Sequence, residues 1–296
     1  MKCLVTGGAG FIGSNLIDEL LQDNHDVICL DINEDGYWNS DADNHIGNVC
    51  DEKLVNTLME DVDWVFHLAA DVKIQETIEN PIHCYYNNVV GTATVLQAAR
   101  EEEVKKFIMS STSAVYKPSN IAQTEGSPED STLTPYASSK KCGEDMCQMY
   151  SNLYGLHTVI FRYFNVYGTR QHTRGQYAPV LGIFMKQRNE NTPLTITGDG
   201  SQRRDFINVK DVARANITAA QNSRKSGKIY NVGSGIDYSV KEIADMISSN
   251  QTYIDKRLGD VEYSRAEISN IKNELGWETT VSLEQWLQNE LKVITI

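Results

Sequence analysis

KCLVTGGAGFIG, residues 2–13, opens the chain with a short apolar run and then places four glycines between positions 7 and 13. The run Lys2–Thr6 has the character of a buried strand, and residues 11–22 (FIGSNLIDELLQ) carry apolar side chains at helical spacing. A glycine frame can be drawn on Gly7, Gly10 and Gly13, or on Gly8, Gly10 and Gly13. In either frame glycine serves a tight turn, close approach of backbone to a pyrophosphate, and close packing of helix on strand. The helix starting there points free N–H groups and its positive dipole end at the same spot.

Working outward, residues 26–30 (DVICL) form a second strand that ends at Asp31, 18 residues after Gly13. A carboxylate there accepts hydrogen bonds from adenosine ribose hydroxyls and repels a 2′-phosphate, so NAD is expected rather than NADP. Further strands are expected at 62–68, 106–110 and 157–161, with helices over 84–101 and near 135–154. Strands alternating with long helices imply βαβ units and a parallel sheet. VICL and WVFHL are apolar on both faces, as buried parallel strands are. The fold class is therefore α/β, a Rossmann-type doubly wound parallel sheet.

After about Tyr167 the pattern loosens. Helices are expected at 178–189, 239–249 and the C-terminal end, and strands at 205–209 and 228–232. The expected organisation is a dinucleotide-binding domain over 1–166, with returning segments at about 205–236. A smaller interleaved substrate lobe takes 167–204 and 237–296. The most loop-like stretch is the polar, acidic segment Asn33 to Asn48.

The 296 residues carry 27 Lys+Arg against 40 Asp+Glu, a formal charge of −13. That balance argues against nucleic-acid binding, which needs clustered basic residues to neutralise phosphates. No apolar run approaches the ~20 residues of a membrane span. The six cysteines form no CxxC pair, so neither a disulfide framework nor a metal site is expected. Scattered thiols, and a first strand that leaves no room for a leader, make a cytoplasmic chain the expectation.

Tyr136 and Lys140, in PYASSK, stand four residues apart on one face of a predicted helix. A phenol ionising near ~10 is a poor base at neutral pH, and a neighbouring ammonium lowers that value. Upstream, SSTSAVY at 110–116 follows a strand and supplies Thr112, a hydroxyl able to bind a substrate oxygen. His67, inside an apolar strand, reads as a satisfied core histidine, and Arg203 as a solvated surface charge.

With these motifs in hand, the chain resembles the nucleotide-sugar epimerase/dehydratase branch of the extended short-chain dehydrogenase/reductase superfamily. The resemblance rests on TGGAGFIG, the Asp31 strand end, HLAA at 67–70, NNVVGT at 87–92, SSTSAVY, PYASSK and RYFNVYGTRQ at 162–171. It continues with LTITGDGSQRRDFINVKDVA at 194–213, YNVGSG at 230–235 and RLGD at 257–260. It implies that Thr112, Tyr136 and Lys140 are the catalytic set. Around the NAD cofactor it implies Gly7, Gly10, Phe11, Ile12, Gly13, Asp31, Asn33, Asn48 and Val49. Leu68, Ala69, Ala70, Asn88, Ser110, Ser111, Tyr163 and Val166 complete that lining. Two positions depart from the family pattern: Asn48 stands where Asp is usual, and Lys117 replaces the glycine of AVYG.

Similar 4,6-dehydratases carry Thr-Asp-Glu where this chain has Thr112, Ser113 and Ala114, and decarboxylating relatives use Glu at the third position. Ser113 and Ala114 cannot transfer a proton near neutral pH. What remains possible with Thr112, Tyr136 and Lys140 is oxidation of a hydroxyl and re-reduction of the ketone, an epimerisation, and the resemblance implies C4 of a UDP-sugar as its site. The resemblance places Arg204 and Arg257 on the diphosphate, with Asn165 and Asp260 as further contacts. Ser264, seven positions after Arg257, falls where similar 4-epimerases limit room beside the sugar's 2-substituent. Its small size implies that N-acetylated UDP-sugars enter as well as the glucose/galactose pair. In similar enzymes the two long helices pair across a two-fold axis, so the resemblance implies a homodimer. The rival readings are a 4-keto reductase, an epimerase at another carbon, or a non-catalytic nucleotide-sugar-binding regulator.

Overall fold

The computed structural model describes residues 1–129, 133–171, 179–255 and 262–293. Alternation of buried strand and covering helix builds the first half. β1 (Lys2–Thr6), α1 (Phe11–Gln22), β2 (Asp26–Asp31) and β3 (Asp43–Ile46) come first, then α2 (Glu52–Met59) and β4 (Trp64–His67). α3 (Ile74–Glu79), α4 (Pro81–Tyr85) and α5 (Gly91–Glu101) lead to β5 (Lys106–Thr112), α6 (Pro135–Tyr154) and β6 (Thr158–Tyr163). β7 (Asn165–Tyr167), α7 (Val180–Asn189), β8 (Leu194–Thr197), β9 (Arg203–Asn208) and α8 (Val209–Asn222) follow. The chain closes with β10 (Lys228–Val232), β11 (Asp237–Ser239), α9 (Val240–Ile247), β12 (Gln251–Ile254), β13 (Tyr263–Ser264), α10 (Ser269–Leu275) and α11 (Leu283–Val293).

Seven parallel strands form the main sheet in the order β10-β6-β5-β4-β1-β2-β3. Period-two alternation sends successive residues to opposite faces. Cys3, Val5, Val27, Cys29 and Phe66 pack with α1 and α8. Leu4, Ile28, Leu30, Val65 and Phe107 pack with α2, α5 and α6. Both faces are thus covered, which is the doubly wound fold expected. A smaller core of Leu181, Phe184, Ile196, Phe206, Ile243 and Leu287 lies under α7, α9 and α11.

Three local expectations are corrected. The loop-like segment Asn33–Asn48 contains β3, whose mostly exposed residues pair with β2 through backbone alone. The expected helix over 84–101 is interrupted by a π-helical turn at Tyr86–Val90. β9, expected with the returning segment, pairs with β7, β11 and β13 in a second sheet, so the return to the main sheet is made by α8 and β10.

Candidate active site

A cleft of about 530 Å³ opens at the C-terminal ends of β1, β4, β5 and β6. Ligands of open parallel sheets bind at this edge, where the strand order reverses. Gly7, in the left-handed region at φ +68°, forms its floor, and a Cβ there would lie 2.7 Å from the Ala69 nitrogen. Gly13 presses α1 onto the turn, since a Cβ would meet the Gly7 oxygen at 2.2 Å. Gly10 starts α1 with no side-chain cap, and Phe11, Ile12 and Gly13 line the cleft. The uncapped N–H groups of that first turn therefore remain to meet an anion. At the end of β2 the Asp31 carboxylate is fixed by the Ala9 nitrogen (3.0 Å) and the Asn33 nitrogen (2.9 Å). An uncapped helix start, a glycine floor and an oriented carboxylate fit the pyrophosphate and ribose of NAD.

The lining takes in Val49, Leu68, Ala69, Ala70, Ser110, Ser111, Tyr163 and Val166, together with Thr112, Tyr136 and Lys140. Three expected cofactor residues stand outside it. Asn33 serves through its backbone, and the Asn48 side chain caps the Cys50 nitrogen at 2.8 Å. Asn88 is a brace: its amide spans the Asp71 nitrogen (2.6 Å), the Asp71 oxygen (3.0 Å) and Ser139 Oγ (3.0 Å). Its neighbour Asn87 lines the cleft instead, brought round by the π turn. Asp71, Val72, Gly47 and Phe164 also line it and were not singled out from the sequence.

His67 is a buried, satisfied histidine, as expected. Its Nδ1 meets Thr6 Oγ1 at 2.8 Å and its Nε2 meets Thr92 Oγ1 at 2.9 Å. Thr92 donates to the Asn88 carbonyl, so its oxygen accepts from Nε2–H, and that network assigns the tautomer. Burial, and then the Lys140 charge, lower His67 to about 3 and keep it neutral.

Thr134 caps α6 by accepting from the Ala137 nitrogen, and Pro135 occupies the first turn. The helix thereby presents Tyr136 and Lys140 to the end of β5. Tyr136 and Thr112 line the cleft together, and Lys140 Nζ donates to the Ser110 carbonyl at 2.9 Å. Burial pushes the Tyr136 phenol up to about 12, with the Thr112 hydroxyl working against it. Burial lowers Lys140 to about 8. The depressed phenol expected from the sequence is thus absent in the protein alone.

The expected substrate residues come from the second sheet. Asn165 donates to the Asp205 carbonyl at 2.8 Å, and Ser264 stands in register with Arg204 across β13 and β9. Neither they nor Arg204 belong to the cleft lining. Arg203, expected as a solvated charge, is tied to Asp237 and Glu242. Arg257 and Asp260 lie outside the described residues. Among the described residues, no helix is long and apolar enough to cross a membrane.

This glycine-floored cleft on a Rossmann-type sheet brings Thr112, Tyr136 and Lys140 together beside the uncapped start of α1. The model of the NAD-dependent epimerase/dehydratase family matches residues 3–233, and the chain belongs to that family. It is similar to a putative UDP-glucose 4-epimerase of Methanocaldococcus jannaschii, 35% identical across 97% of this chain and 98% of the relative. Among solved structures it is similar to the UDP-glucose 4-epimerase of Thermotoga maritima with UDP-glucose. That likeness has a TM-score of 0.93 and 30% identity, covering 100% and 99% of the two chains. It is also similar to the UDP-N-acetylglucosamine 4-epimerase of Methanobrevibacter ruminantium in complex with UDP-N-acetylmuramic acid. There the TM-score is 0.92 and the identity 31%, covering 98% and 97%. The chain is an NAD-dependent enzyme of this family.

Proposed function

We propose that the protein interconverts UDP-sugars that differ in configuration at C4, by way of a transient 4-keto sugar. The observation that carries this reading is the grouping of Thr112, Tyr136 and Lys140 at the cleft, with Ser113 and Ala114, neither of them a carboxylate, following Thr112 in the chain. When bound, NAD supplies reversible redox capacity at the sugar carbon, and its oxidised ring adds the positive charge the phenol lacks. Thr112 hydrogen-bonds the O4 hydroxyl. Tyr136 Oη accepts the O4 proton as the ketone forms and returns it as the hydroxyl is restored. Lys140, anchored on Ser110, keeps a positive charge near the phenol.

Within the class, Ser264 favours admission of N-acetylated sugars, and Arg204, Arg257, Asn165 and Asp260 are assigned to the nucleotide diphosphate and ribose. A homodimer through the 84–101 stretch and α6 is supported by the exposed apolar side chains of Tyr86 and Val90 in the π turn and of Met149 and Leu153 on α6. Tyr136→Phe tests the assignment. Turnover should fall by about 10²–10⁴-fold while the UDP-sugar KM stays within threefold. Turnover within tenfold of the parent rejects the role.

A further inference from the structure

α6 carries a third side chain on the stripe begun by Tyr136 and Lys140. Glu144, one turn further on, is fully buried. It enters a socket made by two adjacent strands, where Ser111 Oγ on β5 donates to its Oε1 at 2.6 Å. Arg162 on β6, in register with Ser111, donates through Nε at 2.8 Å and through Nη2 at 2.5 Å. Arg162 is also fully buried. Its Nη2 holds Glu129 as well, and its guanidinium lies 4.6 Å from the centre of the Tyr116 ring. Tyr116 and Glu129 bridge the two ends of the loop that follows Thr112. One arginine therefore grips both arms that carry reacting groups, the helix bearing Tyr136 and the loop leaving Thr112.

From this geometry we infer that the buried Arg162–Glu144 pair is a positioning device, setting the height and rotation of α6 on β5 so that the Tyr136 phenol meets Thr112. The inference rests on the reading of Tyr136 and Thr112 as the reacting pair. Stability alone does not account for the arrangement. Buried ion pairs are often matched or bettered by well-packed apolar residues. Arg162 moreover keeps a buried Nη1 without a hydrogen-bond partner among the described residues. A forked, directional bond does what apolar contact cannot. Together with the Lys140–Ser110 bond one turn earlier, it resists sliding of a helix whose remaining contacts with β5 include Gly143 and Cys147 against the flexible Met109. The catalytic geometry tolerates little displacement, since a shift of about 1 Å can cost ~10²-fold in rate.

Three variants, assayed with UDP-glucose and UDP-N-acetylglucosamine beside Tyr136→Phe, separate positioning from packing. Glu144→Gln should lower kcat at least 30-fold with KM within threefold. The double variant Glu144→Leu/Arg162→Met should regain thermal stability close to the parent's yet keep kcat at least tenfold down. Glu129→Gln alters a partly exposed arm of the grip, so its fold is secure; it should lose three- to tenfold in kcat at unchanged KM. A stable double variant within threefold of parental kcat overturns the inference. So does an unaltered kcat in Glu129→Gln, which decides the matter if the buried variants do not fold. Should Tyr136→Phe itself retain activity, it is the assignment of the base that fails rather than the positioning.

Discussion

Lys140 donates its ammonium proton to the Ser110 carbonyl oxygen, 2.9 Å away, from a site only 4% exposed. The charge is fixed at the edge of the cleft, at a cost to folding. Burial lowers the lysine from 10.5 to about 8, while the unfolded chain keeps the proton up to its ordinary value. Between those values the unfolded state binds more protons, so this group makes stability rise with pH from about 8 towards 10.5.

Lys140→Met should therefore abolish turnover and stabilise the fold at pH 7. The gain is at most about 3 kcal/mol at ~1.4 kcal/mol per pKa unit, less the lost Ser110 bond. The advantage should shrink by about 2 kcal/mol between pH 7 and pH 9.5. Urea unfolding of parent and variant at both pH values checks it; a gap independent of pH contradicts it.

Asp31 is pinned by two backbone nitrogens with its carboxylate at the end of β2. A 2′-phosphate there meets a fixed negative charge and loses the ribose hydrogen bonds. NADH should bind at least tenfold more tightly than NADPH, and Asp31→Ser should narrow that ratio. Fluorescence titration of both nucleotides provides the measurement, and equal affinities in the parent refute the role.

Asn87 and Asn88 are neighbours with opposite duties. Asn88→Ala removes four side-chain hydrogen bonds from a buried brace and should cost about 2–3 kcal/mol of stability. Asn87→Ala touches the cleft and should weaken nucleotide or UDP-sugar binding while the melting temperature changes little. Calorimetry beside ligand titration separates them; the reverse pattern contradicts the assignment.

Ser264 is 8% exposed and stands beside Arg204 in the small sheet. A tyrosine there should exclude the 2-acetamido group, since overpacking costs about 1–3 kcal/mol or more in a rigid pocket. Comparing kcat/KM for UDP-N-acetylglucosamine and UDP-glucose in the parent and Ser264→Tyr tests the gatekeeper. Full N-acetyl activity in the variant, or a tenfold parental preference for the unacetylated sugar, argues against it.

Much of this site is legible in the sequence because its signals are local. A strand, four glycines and a helix announce the nucleotide turn, and Tyr136 and Lys140 share a face by spacing alone. What escapes is set by geometry that no local pattern encodes. The π turn at Tyr86–Val90 shifts the helical phase, so Asn87 reaches the cleft where Asn88 was expected. β3 is a polar edge strand held by backbone pairing, and β8 and β12 are four-residue strands that find each other only in the folded lobe. The Arg162–Glu144 pair joins a strand and a helix whose burial neither residue type advertises. The phenol's high pKa is likewise a consequence of burial, invisible in the i, i+4 spacing.

The central claim is C4 epimerisation without net oxidation, and product analysis tests it most directly. The purified protein, supplied with catalytic NAD and no external reductant, is incubated with UDP-glucose, UDP-N-acetylglucosamine and their dTDP- and GDP-linked counterparts, and the sugars released from the products are resolved by chromatography. The account predicts that at least one UDP-sugar equilibrates with its C4 epimer while NAD is not consumed. Accumulation of a 4-keto-6-deoxy or decarboxylated product, or turnover only when a reductant is added, would contradict it.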